Sequence, residues 1–476
     1  MPSYELESSP IWMDVNNIIN TGAKPVKFEY RGQVHTEKQD FTVFKILSVD
    51  IVRDYGNNIG EHVQVKFKMP MGDYLAKLYP FRANLEMSLK RIQLTEGGDK
   101  RQPDAKILLR RYKAVFSTDK NPDLTGSQME QYDTESANNL QLLDVTLDLF
   151  DRSLEVLRIK TVKPGGYNGV TVKRLISTIV AGESSNILID GNPSVDGIDI
   201  VEPDNTDVLP SLVIKNNVHV TSFPTFLQES KCGVYSAGIG TFLQYFGNKH
   251  LWFVYPLFNT KRFDTTKGNK AVIFAIPPDK YPSLDRTYFQ DGQILKIVAT
   301  STRTYSDSAD VNLMNKGSGF RMPDARAYMA KPVELTPDGP KAVRTRLNHE
   351  VVVESRKDGL NYAPATTSTP SANPFVQYSK VLAAQVAKVD FIWENGDSEL
   401  ICPGMPCSYT YLDNNKPITL KGTIQFTHTL YSLQGYGTTS NIYKNQIVVT
   451  MLLDEVTVEQ KFANRALPDQ ADIGVF

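Results

Sequence analysis

The sequence predicts a mainly β protein with an α+β middle region, in which two antiparallel β domains, each a curved sheet or small β-barrel, flank an α+β domain. Three observations predict this. Two well-separated stretches alternate apolar and polar residues with period two, and clusters of Gly, Pro, Asn and Asp bound each run as turns do. Between them the spacing turns helical in places and the connections become rich in Pro, Asp and Asn. The closing strands of both stretches alternate or are apolar on both faces, as a curved sheet or small barrel requires. The expected layout is an N-terminal arm over 1–35, a first β domain over 36–160, a middle domain over 161–356, a linker over 357–374, a second β domain over 375–455 and a tail over 456–476.

Residues 1–35 mix Pro, Gly, Asn and Tyr without a sustained period, so they read as an arm ordered only by packing on something else. Residues 41–53 form an apolar run with strand alternation, Tyr55-Gly56-Asn57-Asn58 marks a turn, and Val63, Val65 and Phe67 alternate with Gln64, Lys66 and Lys68. This is a long hairpin. Leu85, Met87 and Leu89 alternate cleanly, whereas Ile92 and Leu94 fall on the opposite parity, so a bulge is expected at Lys90-Arg91. Residues 107–116 supply another strand. The stretch 140–157 fits both a helical stripe and an alternating strand, and the expectation is a strand to Phe150 with a short helix after Asp151.

The chain changes character at Lys163-Pro164-Gly165-Gly166. Thr171 is placed to cap a helix whose apolar face is Leu175, Ile179 and Val180, with Gly182 expected at a C-terminal cap of positive φ. A polar connection over 190–210 leads to short strands at 211–214 and 218–221 and to a helix opening near Pro224 with Phe226 and Leu227. Strands are expected at 250–258, 271–276 and 293–300. Residues 357–374 have linker composition.

Ala387, Val389, Phe391 and Trp393 then alternate with polar neighbours, and Asn395-Gly396 supplies a tight turn. Short strands at 398–402 and 408–412 are bounded by Pro403-Gly404-Met405-Pro406 and by Asp413-Asn414-Asn415 with Pro417. In 421–431, Ile424, Phe426, His428 and Leu430 share the apolar face, while Thr423, Gln425, Thr427 and Thr429 share the other. Residues 446–453 are apolar on both faces and should be the more buried strand.

With 476 residues, 41% hydrophobic and 22% charged, the chain can bury several cores and is globular. Lys+Arg 52 against Asp+Glu 53 leaves a net charge of -1, so no general attraction to nucleic acid is expected. The start, Met1-Pro2-Ser3-Tyr4-Glu5, has no basic or apolar leader character, and no window reaches the roughly 20 apolar residues of a membrane helix. Folding in a cytoplasm is expected, in keeping with only three cysteines.

No local spacing assembles a catalytic, cofactor-binding or metal centre, and none is assigned. Gly233-Val234-Tyr235-Ser236-Ala237-Gly238 has one residue too many before its serine for a nucleophile elbow, and Gly238-Ile239-Gly240 lacks the rest of a phosphate loop. Tight turns near a helix end are the plainer reading. Cys402 and Cys407 have no second ligand pair nearby and read as buried packing. The histidines (35, 62, 219, 250, 349 and 428) are scattered, His428 as a hydrogen-bonded core residue. The basic run Lys100, Arg101, Lys106, Arg110, Arg111 and Lys113 reads as a solvated strand edge, with contact to an acidic partner the alternative.

Pro403-Gly404-Met405, Tyr409-Thr410-Tyr411 and Lys421-Gly422-Thr423-Ile424-Gln425-Phe426-Thr427-His428 resemble the second tube-like domain of the central baseplate hub proteins of contractile-tailed bacteriophages, which resemble the hub part of type VI secretion spikes. Tyr79-Pro80-Phe81-Arg82-Ala83-Asn84-Leu85 is similar to their first domain. Phe226-Leu227-Gln228-Glu229-Ser230, residues 233–238 and residues 252–263 are similar to their middle region. The resemblance spans about 40 to 455. It implies a homotrimer whose paired β domains make a ring of six, adapting a six-fold tail tube to a three-fold spike and lining a channel through which DNA passes. The implied partners are further copies of itself, the tube protein, the central spike and other baseplate proteins, without a membrane in the assembled state. The implied place is the virion tail, assembled in a host cytoplasm, and no enzyme activity is expected. Exposed strand edges would be consumed by neighbouring subunits. A peripheral or receptor-binding tail protein is the alternative, and a tail-associated hydrolase using Ser236 or a carboxylate pair a more distant one.

Overall fold

Alternating strands bury one face each and must find both hydrogen-bonded neighbours and a core, and here 15 of the 26 strands among the described residues find them in one sheet. The computed structural model describes residues 10–20, 27–94, 107–117, 142–214, 217–230, 232–275, 287–305, 341–344, 350–353, 379, 383, 386–413, 416–433 and 442–454. The first strands are β1 (Lys27–His35), β2 (Asp40–Thr42), β3 (Lys45–Asp54), β4 (His62–Pro70), β5 (Leu85–Leu94), β6 (Ile107–Phe116) and β7 (Leu142–Asp151). Short strands follow: β8 (Gly165–Tyr167), β9 (Val170–Thr171), β10 (Leu188–Ile189), β11 (Asn192–Pro193), β12 (Gly197–Ile200), β13 (Val208–Leu209) and β14 (Leu212–Ile214). Then come β15 (Ile239–Phe246), β16 (Lys249–Pro256), β17 (Lys270–Ala275), β18 (Tyr288–Asp291), β19 (Ile294–Ala299), β20 (Ser301–Tyr305), β21 (Lys341–Arg344) and β22 (Glu350–Val353). The last are β23 (Val386–Glu394), β24 (Pro406–Asp413), β25 (Lys416–Leu433) and β26 (Ile442–Asp454).

A 15-stranded sheet runs β18-β19-β17-β24-β25-β3-β4-β7-β6-β5-β1-β26-β23-β20, with β2 beside β1 and a further pairing of β25 with β26. The β17–β19 and β17–β24 pairs are parallel, so the sheet is mixed. Two separate antiparallel barrels were expected, and the structure instead joins these strands in a single sheet. The cause is strand length. β25 has 18 residues, so its first part pairs with β24 and its second, from Phe426 to Ser432, with β3. β26, with 13, likewise reaches β23 and, through Ile442 and Tyr443, β1.

Local expectations mostly meet their elements. β7 ends at Asp151 and helix α2 (Arg152–Ile159) begins at once, because the Asp151 carboxylate accepts from the amides of Ser153 and Leu154. Thr171 caps helix α3 (Val172–Ile176) by accepting from the Arg174 amide, and Leu175, Ile179 and Val180 are buried. Gly182 does not cap: its φ is -64, and a π turn (Ser177–Ala181) carries the helix on through Gly182–Ser185. A further helix, α4 (Phe223–Ser230), opens beside Pro224. The arm contains helix α1 (Pro10–Asn20) and β1, which pairs with β5 from Lys27 to His35.

Three expectations in the β regions need correction. The β1–β5 register runs unbroken past Lys90 and Arg91, so no bulge forms there; Arg91 and Ile92 are both buried because the sheet is covered on both faces at that end. A register shift falls instead between Ile424 and Phe426 in β25, and it exchanges the faces beyond it. Thr427, Thr429 and Tyr431 point inward, and Leu430 is 39% exposed. Residues 398–400 form a 3-10 turn rather than a strand, with Asp397 accepting from the Glu399 amide. The last strand, expected over 446–453, begins earlier, at Ile442, and Tyr443 is buried and donates to the Ile46 carbonyl at 2.7 Å. The expected linker 357–374 and tail 456–476 lie outside the described residues.

Three large cores result. One, with Phe28, Val63, Phe67, Met87 and Leu147, lies within the first strands. A second gathers Phe391, Trp393, Ile273, Ile297, Tyr255 and Met451. The third packs the helices against β15 and β16 around Trp252.

Candidate functional site

The most concentrated chemistry in the described residues is a buried group of charges where the first and last strands meet. Val49, Ile51 and Arg53 alternate inward on β3, Met87, Leu89 and Arg91 on β5, and Arg110, Tyr112 and Ala114 on β6. Each arginine therefore occupies a position that strand periodicity assigns to the core. Glu61 precedes Val63 and Val65 on the same parity, and the turn after β23 delivers Asp397, Ser398 and Glu399.

Their geometry is that of a closed ion-pair network. Arg53, 0% exposed, donates from Nε and Nη2 to Glu61 Oε2 at 3.0 and 2.9 Å, from Nη1 to the Ser398 carbonyl at 3.0 Å, and from Nη2 to Glu399. Arg110 donates to both oxygens of Glu399 and approaches Glu61 Oε1 at 3.5 Å. Arg91 grips Asp397 at 2.7 and 3.4 Å and reaches the Tyr431 hydroxyl at 3.2 Å. Tyr112 donates to Glu61 Oε1 at 2.9 Å. Arg91 also lies 4.5 Å over the Phe28 ring and Arg110 4.9 Å over that of Tyr245.

Electrostatics fixes Glu399 and the three arginines in their charged forms. Burial pushes the Glu399 carboxyl up, but Arg110, Arg53 and Arg91 outweigh it and hold the group well below the usual carboxylate range. Burial opposes the charge of Arg53 as well, yet Glu399 and Glu61 hold it above its ordinary value. A general acid or base at neutral pH needs a value tuned toward the working pH, so Glu399 is poised to bind its arginines, not to exchange protons. Removing one partner of such a group strands the others in low dielectric.

A second buried pair lies alongside. His250 on β16 places Nε2 3.1 Å from Asp151 Oδ2, Nδ1 2.7 Å from the Ser194 carbonyl, and its ring 4.0 Å from that of Tyr245. Burial pulls the imidazole down, but Asp151 and the Ser194 carbonyl raise it overall. Burial likewise raises Asp151, and His250 together with hydrogen bonds from Ser153 more than reverses that. The pair ties the end of β7 to β16.

The residues singled out by sequence are placed as follows. The Ser236 hydroxyl donates to Asp204 Oδ2 at 2.6 Å, and its amide donates to the same oxygen at 2.8 Å. Cys402 and Cys407 are buried in the second core without a disulfide, and burial pushes the Cys402 thiol up to about 12. His428 is half-buried rather than in the core, on the outward face after the register shift, and holds Asp50 Oδ1 at 2.7 Å. The expected solvated edge is corrected too: β6 lies between β5 and β7, Arg110 belongs to the network, Arg111 pairs with Glu86 at 2.6 Å and Lys113 donates to Asn84 at 2.7 Å. Lys100, Arg101, Lys106 and His349 lie outside the described residues. Among the described residues no group of three His, Cys, Asp or Glu could hold a metal ion, and no helix is long and apolar enough to cross a membrane.

The stretches that carried the sequence resemblance lock onto one another. Buried Gln228 donates to the Tyr235 carbonyl and accepts from the amides of Val234 and Tyr235, so helix α4 clamps the 233–238 turn. Gly404, at φ +63, lies against the Tyr255 ring, and a Cβ there would overlap it. The Tyr255 hydroxyl donates to the Tyr55 carbonyl at 2.6 Å, Arg262 Nη1 to the Gly404 carbonyl at 3.0 Å, and Lys421 to Asp264. Middle and last regions are thus joined.

No protein-family model matches the chain, and no curated protein does. Among solved structures, it is similar to the 43 kDa tail protein of prophage MuSo2 from Shewanella oneidensis, with TM-score 0.43 and 8% identity over 90% of this chain and 97% of that one. A tail protein from Neisseria meningitidis MC58 gives TM-score 0.39 and 10% identity over 90% and 99% of the two chains. A Francisella PdpA-VgrG complex gives TM-score 0.37 and 8% identity over 99% of this chain and 64% of that one. Likenesses this distant do not by themselves establish a family.

Proposed function

We propose that the chain is a non-enzymatic structural protein of a phage tail baseplate and, within it, the central hub. In this reading three copies form a ring that adapts the six-fold tail tube to the three-fold spike and lines the channel. Its partners are its own copies, the tube and spike proteins and other baseplate proteins, with DNA only in passage. It resides in the virion tail after assembly in the host cytoplasm. A division into arm, first β domain, middle domain, linker, second β domain and tail belongs to the same proposal, with the long strands β25 and β26 bridging the β domains.

The observation that carries the reading is the joint at Gly404, where the resembling stretches of the middle and last regions pack on each other through Tyr255, Arg262 and Lys421. Residues that mark the resemblance act there through shape and hydrogen bonds. The buried charge network supports the same view, since it spends its ionisable groups on binding strands together.

A reconstruction of virions containing this chain tests the proposal. Density for three copies on the tail axis between tube and spike is the expected result. A peripheral position would overturn the hub role in favour of a receptor-binding one, and polysaccharide or peptidoglycan cleavage lost in Ser236→Ala would overturn the non-enzymatic reading.

A further inference from the structure

Helix α1 is ordered by the surface beneath it. It has 11 residues, short of the roughly 12–15 at which even alanine-rich isolated helices become stable. It has no acidic residue in its first turn and no basic residue in its last, so no charge at its ends offsets the helix dipole. What holds it is a small apolar seat. Val15 and Ile18, on one face of the helix, are 0% and 2% exposed in a cluster with Phe274 and Val298, and Val272 and Phe289 pack against them. Lys296 Nζ donates to Asp14 Oδ1 at 2.9 Å beside this contact.

The seat is the outer face of β17, β18 and β19, whose inner face contributes Ala271, Ile273, Leu295 and Ile297 to the second core. The seat cluster shares no buried residue with the three large cores, so α1 can leave without opening them. Six residues of sequence separate α1 from β1. A helix with the same apolar pair and the same acid to meet Lys296 is carried by every other copy of the chain.

We propose that the β17–β19 seat is an inter-subunit docking site, and that it receives α1 from a second copy of this chain when the chain assembles. Exchange of one short element between identical subunits needs no new complementarity, because the contacts are those already formed within one chain. The inference rests on the self-assembling reading above.

The test uses two differently tagged full-length populations, Asp14→Cys and Lys296→Cys, co-assembled and treated with a short bis-maleimide. Both positions are partly exposed, and an exposed ion pair contributes little to stability, so both variants should fold. The expected product carries both tags and is lost when either cysteine is omitted. Assembled chains that crosslink only in the Asp14→Cys/Lys296→Cys double variant, and only within one chain, would overturn the exchange while leaving self-assembly standing. Chains that remain single before crosslinking would overturn the self-assembling reading and the exchange with it.

Discussion

Replacing Glu399 by glutamine removes the carboxylate that Arg53 and Arg110 share and leaves both cations buried with Glu61 as their remaining acid. Breaking a buried ion pair in this way costs about 3–5 kcal/mol, so Glu399→Gln should lower the denaturant midpoint strongly, and a loss below about 1 kcal/mol would show that the network holds nothing together. His250 gives a pH signature of opposite sign on its two sides. Its folded-state value is raised, so the stability it contributes is complete below its ordinary value of about 6.5 and fades as pH rises through the raised value. The Asp151 value is lowered, so its contribution is complete above about 3.9 and fades as pH falls through the lowered value. Urea unfolding should therefore show the largest gap between the native chain and His250→Gln in mildly acidic buffer, narrowing toward alkaline pH. A gap that widens with rising pH would refute the pairing. The arginines of the network were open to detection from sequence, since Arg53, Arg91 and Arg110 all sit on inward parity. Their acids were not, because Asp397 and Glu399 lie in a turn that no periodicity describes.

Turns and strand ends decide how the elements meet. Gly404 sits at positive φ against Tyr255, so Gly404→Ala combines backbone strain with a clash and should cost about 1–3 kcal/mol or more by thermal unfolding. Gly165→Ala, where a Cβ meets nothing, should change little, and equal losses at both sites would remove the special role assigned to Gly404. Element type was largely legible: the strand-to-helix change at Asp151 and the Thr171 cap follow from side chains that satisfy amides locally. What escaped the sequence was the position of irregularity. The parity break after Leu89 reflects cover on both faces, whereas the real shift in β25 lies in a stretch whose Thr and apolar residues alternate without interruption. A period of two fixes which residues share a face, but not which face is inward once a bulge intervenes.

At the scale of the whole molecule, the long strands β25 and β26 connect what the sequence presents as separate β units. Pairing between strands hundreds of residues apart leaves no local pattern, so the single mixed sheet could not be read from alternation alone. Removing residues 387–454 takes out β24, β25 and β26 with most of β23, and the remaining chain should lose cooperative unfolding as well as assembly. A truncated chain that melts cooperatively would show that the remaining strands form an independent body. The central claim is that the chain works as a ring of three, and native mass spectrometry of the full-length protein tests it most directly. The account predicts a species of three times the 53.3 kDa chain mass; a stable species of one chain mass at the same concentration would contradict it.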